Sequence, residues 1–253
     1  MKSYLDLVPI SAKVHRKQNR MSIICIVLAV FLVTAIFGMA DMFIRGQILQ
    51  AQQENGNWHI GIRNISDEDA KLIASRPEVA AAADYGVFNY RGGQGYTLSG
   101  KNVAVCGSNE SAVTEIFATL DKGSFPANGD EALVTNNAKN MLHLEIGEQI
   151  VITMPDGSER AYTISGFMNN TVGIMSRDSY GVCLTTESFR AIYPDGTSSN
   201  PADYTMRLLK FKSTRNIQSS IAEIKQQFGL SDEQVSENTE LLGLLGQSSN
   251  SFM

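Results

Sequence analysis

Residues Met21–Ala40, MSIICIVLAVFLVTAIFGMA, decide the fold because they form a long run without any charged side chain. Eleven of these twenty residues are Ile, Leu, Val or Phe. A helix of this length, at about 1.5 Å per residue, spans the roughly 30 Å hydrocarbon core of a bilayer. We therefore predict a transmembrane helix over residues 21–44.

The charges on either side of this run predict its orientation. Residues 1–20 carry a net charge of +4 and the rest of the chain −9, within a total of −5. Because basic residues favour the cytoplasmic side of a span, we predict a cytoplasmic amphipathic and basic segment over residues 1–20. The main domain, residues 45–240, is then extracytoplasmic, and its acidic character argues against nucleic acid as a partner.

Two alternatives to this N-terminal organisation stay open. A secretory signal peptide has an apolar core of about 7–15 residues, which is shorter than this run, so a retained anchor is favoured. Residues 3–12 are predicted to form a short helix on the inner membrane surface, although Pro9 also suits a disordered basic tail.

The sequence after the span alternates between strand and helix patterns. The first helix is expected to continue through Ile44 and Ile48 until Gly56 and Asn57 interrupt it. A strand follows over Trp58–Arg63. Ser66 and Asp69 then have the spacing of a capping box, which predicts a helix over residues 67–77.

Periodicity and turn residues predict the remaining elements. They are an apolar strand near residues 79–82, a strand near Val87–Tyr90, a helix over 110–120, a strand over Glu131–Val134, a helix over Asn137–His143, strands over Gln149–Met154 and Ala161–Phe167 joined at Asp156-Gly157, a strand and short helix within 181–194, a loop over Pro194–Pro201, a strand over Tyr204–Lys212 and an amphipathic helix over Asn216–Phe228.

The order strand, helix, strand occurs twice, in residues 58–82 and again in 204–236, with almost no identity between the two copies. Such halves can form one subdomain with the intervening chain inserted between them. We predict an α+β fold with one N-terminal transmembrane helix, followed by a mixed α/β extracytoplasmic domain. Its halves are expected at about 57–107 and 203–240, with an inserted, strand-rich subdomain at about 108–202.

The C-terminal residues 241–253 contain four leucines that begin an apolar helix, at Leu241, Leu242, Leu244 and Leu245. We favour an approach to a second span that this chain lacks. The alternative is that these leucines dock on the core of the domain.

The sequence contains one near match to a nucleotide-binding motif. GYTLSGK, Gly95–Lys101, has the spacing of a phosphate loop, but Asn102 stands where Ser or Thr would bind magnesium. The residues that follow alternate like a strand, whereas a phosphate loop opens a helix. We therefore predict no nucleotide site here and no cofactor.

The sequence contains no other catalytic or metal-binding pattern. The histidines, at positions 15, 59 and 143, are far apart and have no metal-ligand spacing. The acidic run Asp67–Asp69 is explained by the dipole of the helix that it opens. No G-x-S-x-G motif occurs. We predict no catalytic, cofactor-binding or metal-binding residues.

The three cysteines are too few for a disulfide framework. Cys25 lies in the predicted span. Cys106 and Cys183 lie in the outer domain, where they either pair once or remain two separate buried thiols.

The stretch KGSFPANGDEALVTNNAKNMLHLEIGEQIVI at 122–152, followed by AYTISGF at 161–167, resembles the MacB/FtsX-like ABC transporter permeases. The shared features are a glycine and acidic residue, a strand, a short helix, a second strand and a glycine near the end of a third. The resemblance covers nearly the whole chain by layout. Glu148 departs from it, because Asp is usual after the glycine at position 147.

The resemblance implies a permease subunit segment whose porter-like halves and inserted subdomain couple ATP-driven motion to export or envelope remodelling in the cell membrane. It implies an ABC ATPase subunit, a second permease copy or homologue and membrane lipid as partners, together with an exported peptide, lipid or envelope protein. The ATPase activity would reside in the partner, so this chain would not itself be an enzyme. The alternatives are a single-pass sensor or adaptor with a ligand-binding ectodomain, and a membrane-anchored enzyme.

Overall fold

The computed structural model describes residues 16–193 and 206–250, with side chains up to residue 246. The predicted inner-surface helix at 3–12 and the loop at Pro194–Pro201 lie outside the described residues. The elements, in chain order, are α1 (Arg16–Asn55), β1 (Ile60–Arg63), α2 (Asp67–Ala74), β2 (Val79–Phe88), β3 (Thr97–Leu98), β4 (Lys101–Ser108), a π-helical turn (Ala112–Ile116), β5 (Leu120–Gly123), β6 (Glu131–Thr135), α3 (Asn136–Leu142), β7 (Gln149–Thr153), β8 (Glu159–Met168), β9 (Tyr180–Thr185), α4 (Thr186–Ile192), β10 (Met206–Phe211), α5 (Ile217–Phe228), β11 (Val235–Glu237) and α6 (Thr239–Asn250).

The chain divides into two compact units, residues 1–47 and 48–253. The described part of the first unit belongs to α1, whose apolar side chains are exposed, as at Phe37 with 72% of its surface accessible. By length and composition α1 is able to cross a membrane. The expected continuation of this helix to Gly56 is confirmed, since α1 ends at Asn55.

The second unit contains two strand–helix–strand segments that form one antiparallel sheet. Strands β1 and β10 lie at its centre, between β11 and β2, so the order is β11-β1-β10-β2. Helices α2 and α5 pack on one face of this sheet, where Ile73 of α2 and Ile221 of α5 share one core with Ile60 and Leu209 of the strands. The predicted capping box opens α2, where Ser66 Oγ accepts a hydrogen bond from the Asp69 amide at 3.0 Å.

The remaining strands close into a ring. In the described residues its order is β4-β3-β7-β8-β6-β9, and β9 returns to β4 in parallel, with Val105 opposite Val182. Strand β5 pairs with β8 outside this ring. Closure leaves the ring strands without free edges and encloses an apolar interior that includes Phe167 and Ile152.

Strand β2 joins the sheet to the ring. It pairs with β10 from Val79 to Tyr85 and then with β4 from Tyr85 to Phe88. Strand β4 thus borders both parts. The mixed α/β fold with an N-terminal apolar helix and an inserted strand-rich part is the architecture expected from the sequence.

Two local predictions were wrong. The strands expected near 79–82 and near Val87–Tyr90 are one strand, β2, which ends before Asn89 because that residue has φ +51°. The helix expected over 110–120 is a π-helical turn that stops at Ile116. Ala118 leaves it with φ +48°, and the following residues pair in β5 instead.

We expect Gly107→Ala to destabilise the ring, because its Cβ would lie 2.2 Å from Cγ of the buried Phe189. Overpacking of this kind costs about 1–3 kcal/mol. Gly243→Ala is the control, since a Cβ there meets nothing within 4 Å. Removing a glycine from a helix should raise stability by about 0.5–1 kcal/mol. Urea unfolding of both variants measures the difference, and equal stabilities would contradict this packing.

Candidate functional site

The last turn of α1, residues 52–55, belongs to the second unit and is held there by hydrogen bonds to the turn and loop around it. A helix ends with four carbonyl groups that have no partner within the helix. Here Gly56 N–H donates to Gln52 O at 3.0 Å and Gly173 N–H to Glu54 O at 3.1 Å. The single hydroxyl proton of Thr171 is shared between the carbonyls of residues 53 and 54, which lie 2.9 Å and 3.0 Å from Oγ1.

The fourth carbonyl is bonded by a residue of the adjoining loop. Trp58 Nε1 donates to Asn55 O at 2.8 Å. All four terminal carbonyls of α1 therefore have donors, and two of the donors come from the loop at 171–173. We call residues 52–58, together with 171–173 and 238–240, the α1 junction.

Gly56 fixes the direction in which the chain leaves the helix. Its φ of +88° favours glycine, and a Cβ would lie 2.7 Å from the Phe117 ring. The next residue, Asn57, donates its N–H to Ile116 O at 2.6 Å. The chain then enters β1, a central strand of the sheet, within three residues.

Asn238 joins this point to the start of α6. Its buried side-chain amide donates to Trp58 O at 3.0 Å and to Gly56 O at 3.4 Å. Its Oδ1 accepts from Leu241 N–H at 3.3 Å, in the manner of a helix N-cap. Asn55 Nδ2 also donates to Glu240 Oε2 at 2.9 Å. The end of α1 and the beginning of α6 thus share one hydrogen-bonded junction.

The leucines of α6 have different surroundings. Leu241 is fully buried, and Leu242 packs partly against the core beneath α2 and α5. Leu244 and Leu245 are half-buried. Docking on the core, one of the two alternatives, therefore holds for Leu241. An approach to a second span remains a prediction.

His59 lies directly after the junction and is buried. Phe211 N–H donates to its Nδ1 at 2.9 Å, and the two rings stack with centroids 6.1 Å apart. Burial, with a smaller contribution from the positive charge of Lys210, lowers the pKa of His59 to about 4. The imidazole is therefore neutral at pH 7 and acts as an acceptor.

A second feature is a cleft between α2 and α4, with a cavity of about 630 Å³ that opens beside β2. Arg207 of β10 forms ion pairs with Asp67 and with Asp84, which lies opposite it on β2. Arg190 of α4 approaches Asp67 at 4.0 Å. These charges bridge the helices on the two sides of the cleft.

The residues considered as chemical candidates are not brought together. His15 lies outside the described residues, His59 is buried, and His143 ends α3 in a left-handed conformation. Within the described ranges, no three His, Cys, Asp or Glu side chains are placed to hold a metal. Lys101 begins β4, so a strand follows the phosphate-loop-like stretch, as its alternation indicated.

Cys106 and Cys183 lie opposite each other in the parallel pair of β4 and β9, and both are free, buried thiols. Ser108 Oγ lies 3.0 Å from Cys183 Sγ. The hydrogen bond with Cys183, together with burial, raises the pKa of the Cys106 thiol. Of the two alternatives, two buried thiols without a disulfide is the one that this structure has, although the two residues are direct neighbours across the strand pair.

Sequence reasoning missed Thr171 and Asn238, the two side chains that complete the junction. Gly56 and Asn57 did predict the helix end. Their partners lie more than 100 residues further along the chain, however, and no local pattern marks a residue that bonds a distant helix end.

The sequence pattern of the MacB-like periplasmic core domain matches residues 21–227. No curated protein matches the chain. The periplasmic region of MacB from Actinobacillus actinomycetemcomitans has a similar fold, with a TM-score of 0.51 at 10% identity, covering 77% of this chain and 92% of that one. The extracellular domain of the ABC-type transporter YknZ from Gram-positive bacteria gives 0.47 at 11% identity, covering 72% and 99%. The resemblance noted in residues 122–167 is confirmed by the family match.

We expect Thr171→Val to weaken the junction, because valine has a similar shape but leaves the carbonyl of residue 53 without its donor. This hydrogen bond is part-buried, and a bond of this kind contributes about 0.5–1.5 kcal/mol to stability. Thr171→Ser keeps the hydroxyl and is the matched control. Amide hydrogen exchange over residues 52–58 should rise in the valine variant and stay near the wild-type rate in the serine variant. Equal exchange in both would show that the hydroxyl does not fix this helix end.

The buried His59 should make stability depend on pH. Its folded pKa of about 4 lies below the ordinary value of 6.5, so the unfolded chain binds the proton more readily. The contribution of neutral His59 to the free energy of unfolding is complete above pH 6.5 and is lost as the pH falls towards 4. In His59→Gln, which does not titrate, the free energy of unfolding should fall less steeply over this range. A wild-type slope in His59→Gln would contradict the assignment.

Proposed function

The chain belongs to the family of MacB-like periplasmic core domains, and from that premise we propose that it is the N-terminal span and extracytoplasmic domain of an ABC transporter permease subunit. In this proposal residues 1–20 lie in the cytoplasm, 21–44 cross the membrane and 45–240 form the outer domain. Porter-like halves at about 57–107 and 203–240 flank the inserted subdomain at about 108–202. Residues 241–253 lead towards a second span.

We propose that the domain transmits motion and carries out no bond chemistry. An ABC ATPase subunit would hydrolyse ATP on the cytoplasmic side, and a second permease copy or homologue would complete the transporter. Basic residues at 16, 17 and 20 precede the uncharged run, which supports the cytoplasmic placement of the N-terminus.

The observation that carries this proposal is the α1 junction. Because the four terminal carbonyls of α1 all have donors, the helix end has little freedom to rotate relative to β1. Displacement of the helix would then move β1, a central strand of the sheet, because the residues between them are held by hydrogen bonds and do not form a flexible linker. Asn238 ties the start of α6 to the same point, so both approaches to the membrane would act on one place.

This geometry favours coupling of ATP-driven motion to export or envelope remodelling. The cargo would be a peptide, a lipid or an envelope protein, and membrane lipid would surround the spans. Thr171, Gly56 and Asn238 would be positioning residues, since they hold the junction and touch no substrate.

The test inserts a flexible Gly-Ser segment after Gln50 in the full-length protein with its ATPase partner. Flexible segments transmit little force over short distances, so ATP hydrolysis should continue while export falls severalfold. The same segment inserted after Asp156, in an exposed hairpin turn, is the matched control and should leave both activities near wild-type levels. Normal export with the insertion after Gln50 would contradict the coupling mechanism.

A further inference from the structure

We propose that the free edge of β2 binds an extended polypeptide segment, which adds a strand to the sheet within the cleft between α2 and α4. This inference deepens the proposed function by assigning a partner class to the outer domain, and it rests on that function for its role in transport. Backbone N–H and C=O groups decide whether a strand is able to pair.

Among residues 16–193 and 206–250, no strand pairs with this edge, because β4 leaves β2 partway along its length. Pairing with β4 runs from Phe88 back to Tyr85 and stops there. The Asp84 N–H then donates to the side chain of Asn109, at 3.3 Å to Oδ1. The side-chain oxygen of Asn109 therefore accepts the bond that the next backbone carbonyl of β4 would accept if the strand continued. The same oxygen also accepts from Ala112 N–H at 3.3 Å, where the backbone turns away from β2.

The hydrogen-bonding phase of β10 shows which groups of β2 face the free edge. Leu209 O accepts from His59 N–H at 2.8 Å, so the backbone groups of Leu209 point towards β1. In an antiparallel pair, the backbone groups of two directly opposite residues point either both towards each other or both away from each other. The residue of β2 opposite Leu209 therefore has its N–H and C=O directed away from β10. That residue is Ala82, and its N–H and C=O therefore point towards the edge of β2 that borders the cleft. The bond from Asp84 N–H to Asn109 gives the same phase independently, two residues along.

Small side chains leave this edge accessible. The residues at 80–83 are all alanine, Ala80 is exposed and Ala82 half-buried. Ala70 and Ala74 of α2 line the facing side of the cavity. A strand lies about 4.8 Å from its neighbour, and a space of about 630 Å³ beside Ala82 gives room for several extended residues.

The charges of the lining favour a polypeptide over an anionic lipid surface. Three basic side chains are balanced by three acidic ones: Lys71, Arg190 and Arg207 against Asp67, Asp84 and Glu187. A polyanion gains no net attraction in such a cleft. A peptide backbone offers N–H and C=O groups in alternation, matching the edge, and its mixed side-chain charges fit a balanced lining.

The experiment selects binders from a randomised library of linear ten-residue peptides on the 253-residue chain in phosphatidylcholine nanodiscs. Enriched peptides are then measured against two variants. Ala82→Pro removes the edge N–H, and proline is tolerated where that N–H faces away from a ladder. Ala82→Ser keeps the N–H and is the matched control. Loss of this bond should weaken binding about tenfold in Ala82→Pro and leave Ala82→Ser within about twofold of the wild type.

A second measurement uses the peptides and does not depend on the folding of a variant. Each enriched peptide is made with N-methyl groups on its even amides or on its odd amides. An added strand bonds through alternate amides only, so one of the two forms should lose binding and the other should keep it. Protection of the Ala82 amide from hydrogen exchange by the unmodified peptide should accompany this.

Three results would overturn the proposal. They are an absence of enriched peptides, equal binding by both methylated forms, and loss of binding in Ala82→Ser as large as in Ala82→Pro. Equal binding by both forms would show that side chains, and not the backbone amides, hold the peptide. The peptide assay uses neither the ATPase nor transport. A negative result in it would therefore not affect the interpretation of the Gly-Ser insertion after Gln50. Conversely, normal export with that insertion would not affect a peptide site measured here.

Discussion

Four carbonyl groups at the end of α1 determine how the outer domain is connected to the helix that precedes it. Left without donors in a partly buried place, each would cost free energy comparable to a lost hydrogen bond. The domain provides the donors from the Gly56 turn, from Trp58 and from the distant loop at 171–173. The same hydrogen bonds hold the helix end beside the start of β1, which pairs with β10 and β11.

The loop that supplies two of these donors belongs to the inserted, strand-rich part, between β8 and β9. Tyr85 of β2 also donates its hydroxyl to Gly173 O. The helix end is thus held jointly by the sheet and by the ring-forming part, whereas contact with one of them would leave the other free to move. Gly56 is needed here for two reasons, its positive φ and the Phe117 ring beside its Cα.

The sequence predicted those features that depend on neighbouring residues. The uncharged run, the Ser66 cap, the Asp156-Gly157 turn and the spacing of Ile217 and Ile221 all act within a few residues, and each was identified. Features set by distant contacts were not. Four consecutive alanines have weak strand propensity, so the continuity of β2 came from its partners, β10 and β4. The donors at Thr171 and Asn238 were invisible for the same reason.

Strand β2 connects the two functional features, because β1, β10 and β2 are consecutive strands of one hydrogen-bonded sheet. Movement of the helix end at β1 would be carried by two strand ladders to the free edge at Ala82. The opposite side of the cleft, α4, follows the ring strand β9 and packs through Phe189 on β4. A shift of β1 would therefore change the width of the cleft at the place where Arg190 approaches Asp67 at 4.0 Å. In the proposed mechanism, this change of width is how motion at the membrane alters the hold on an extended polypeptide.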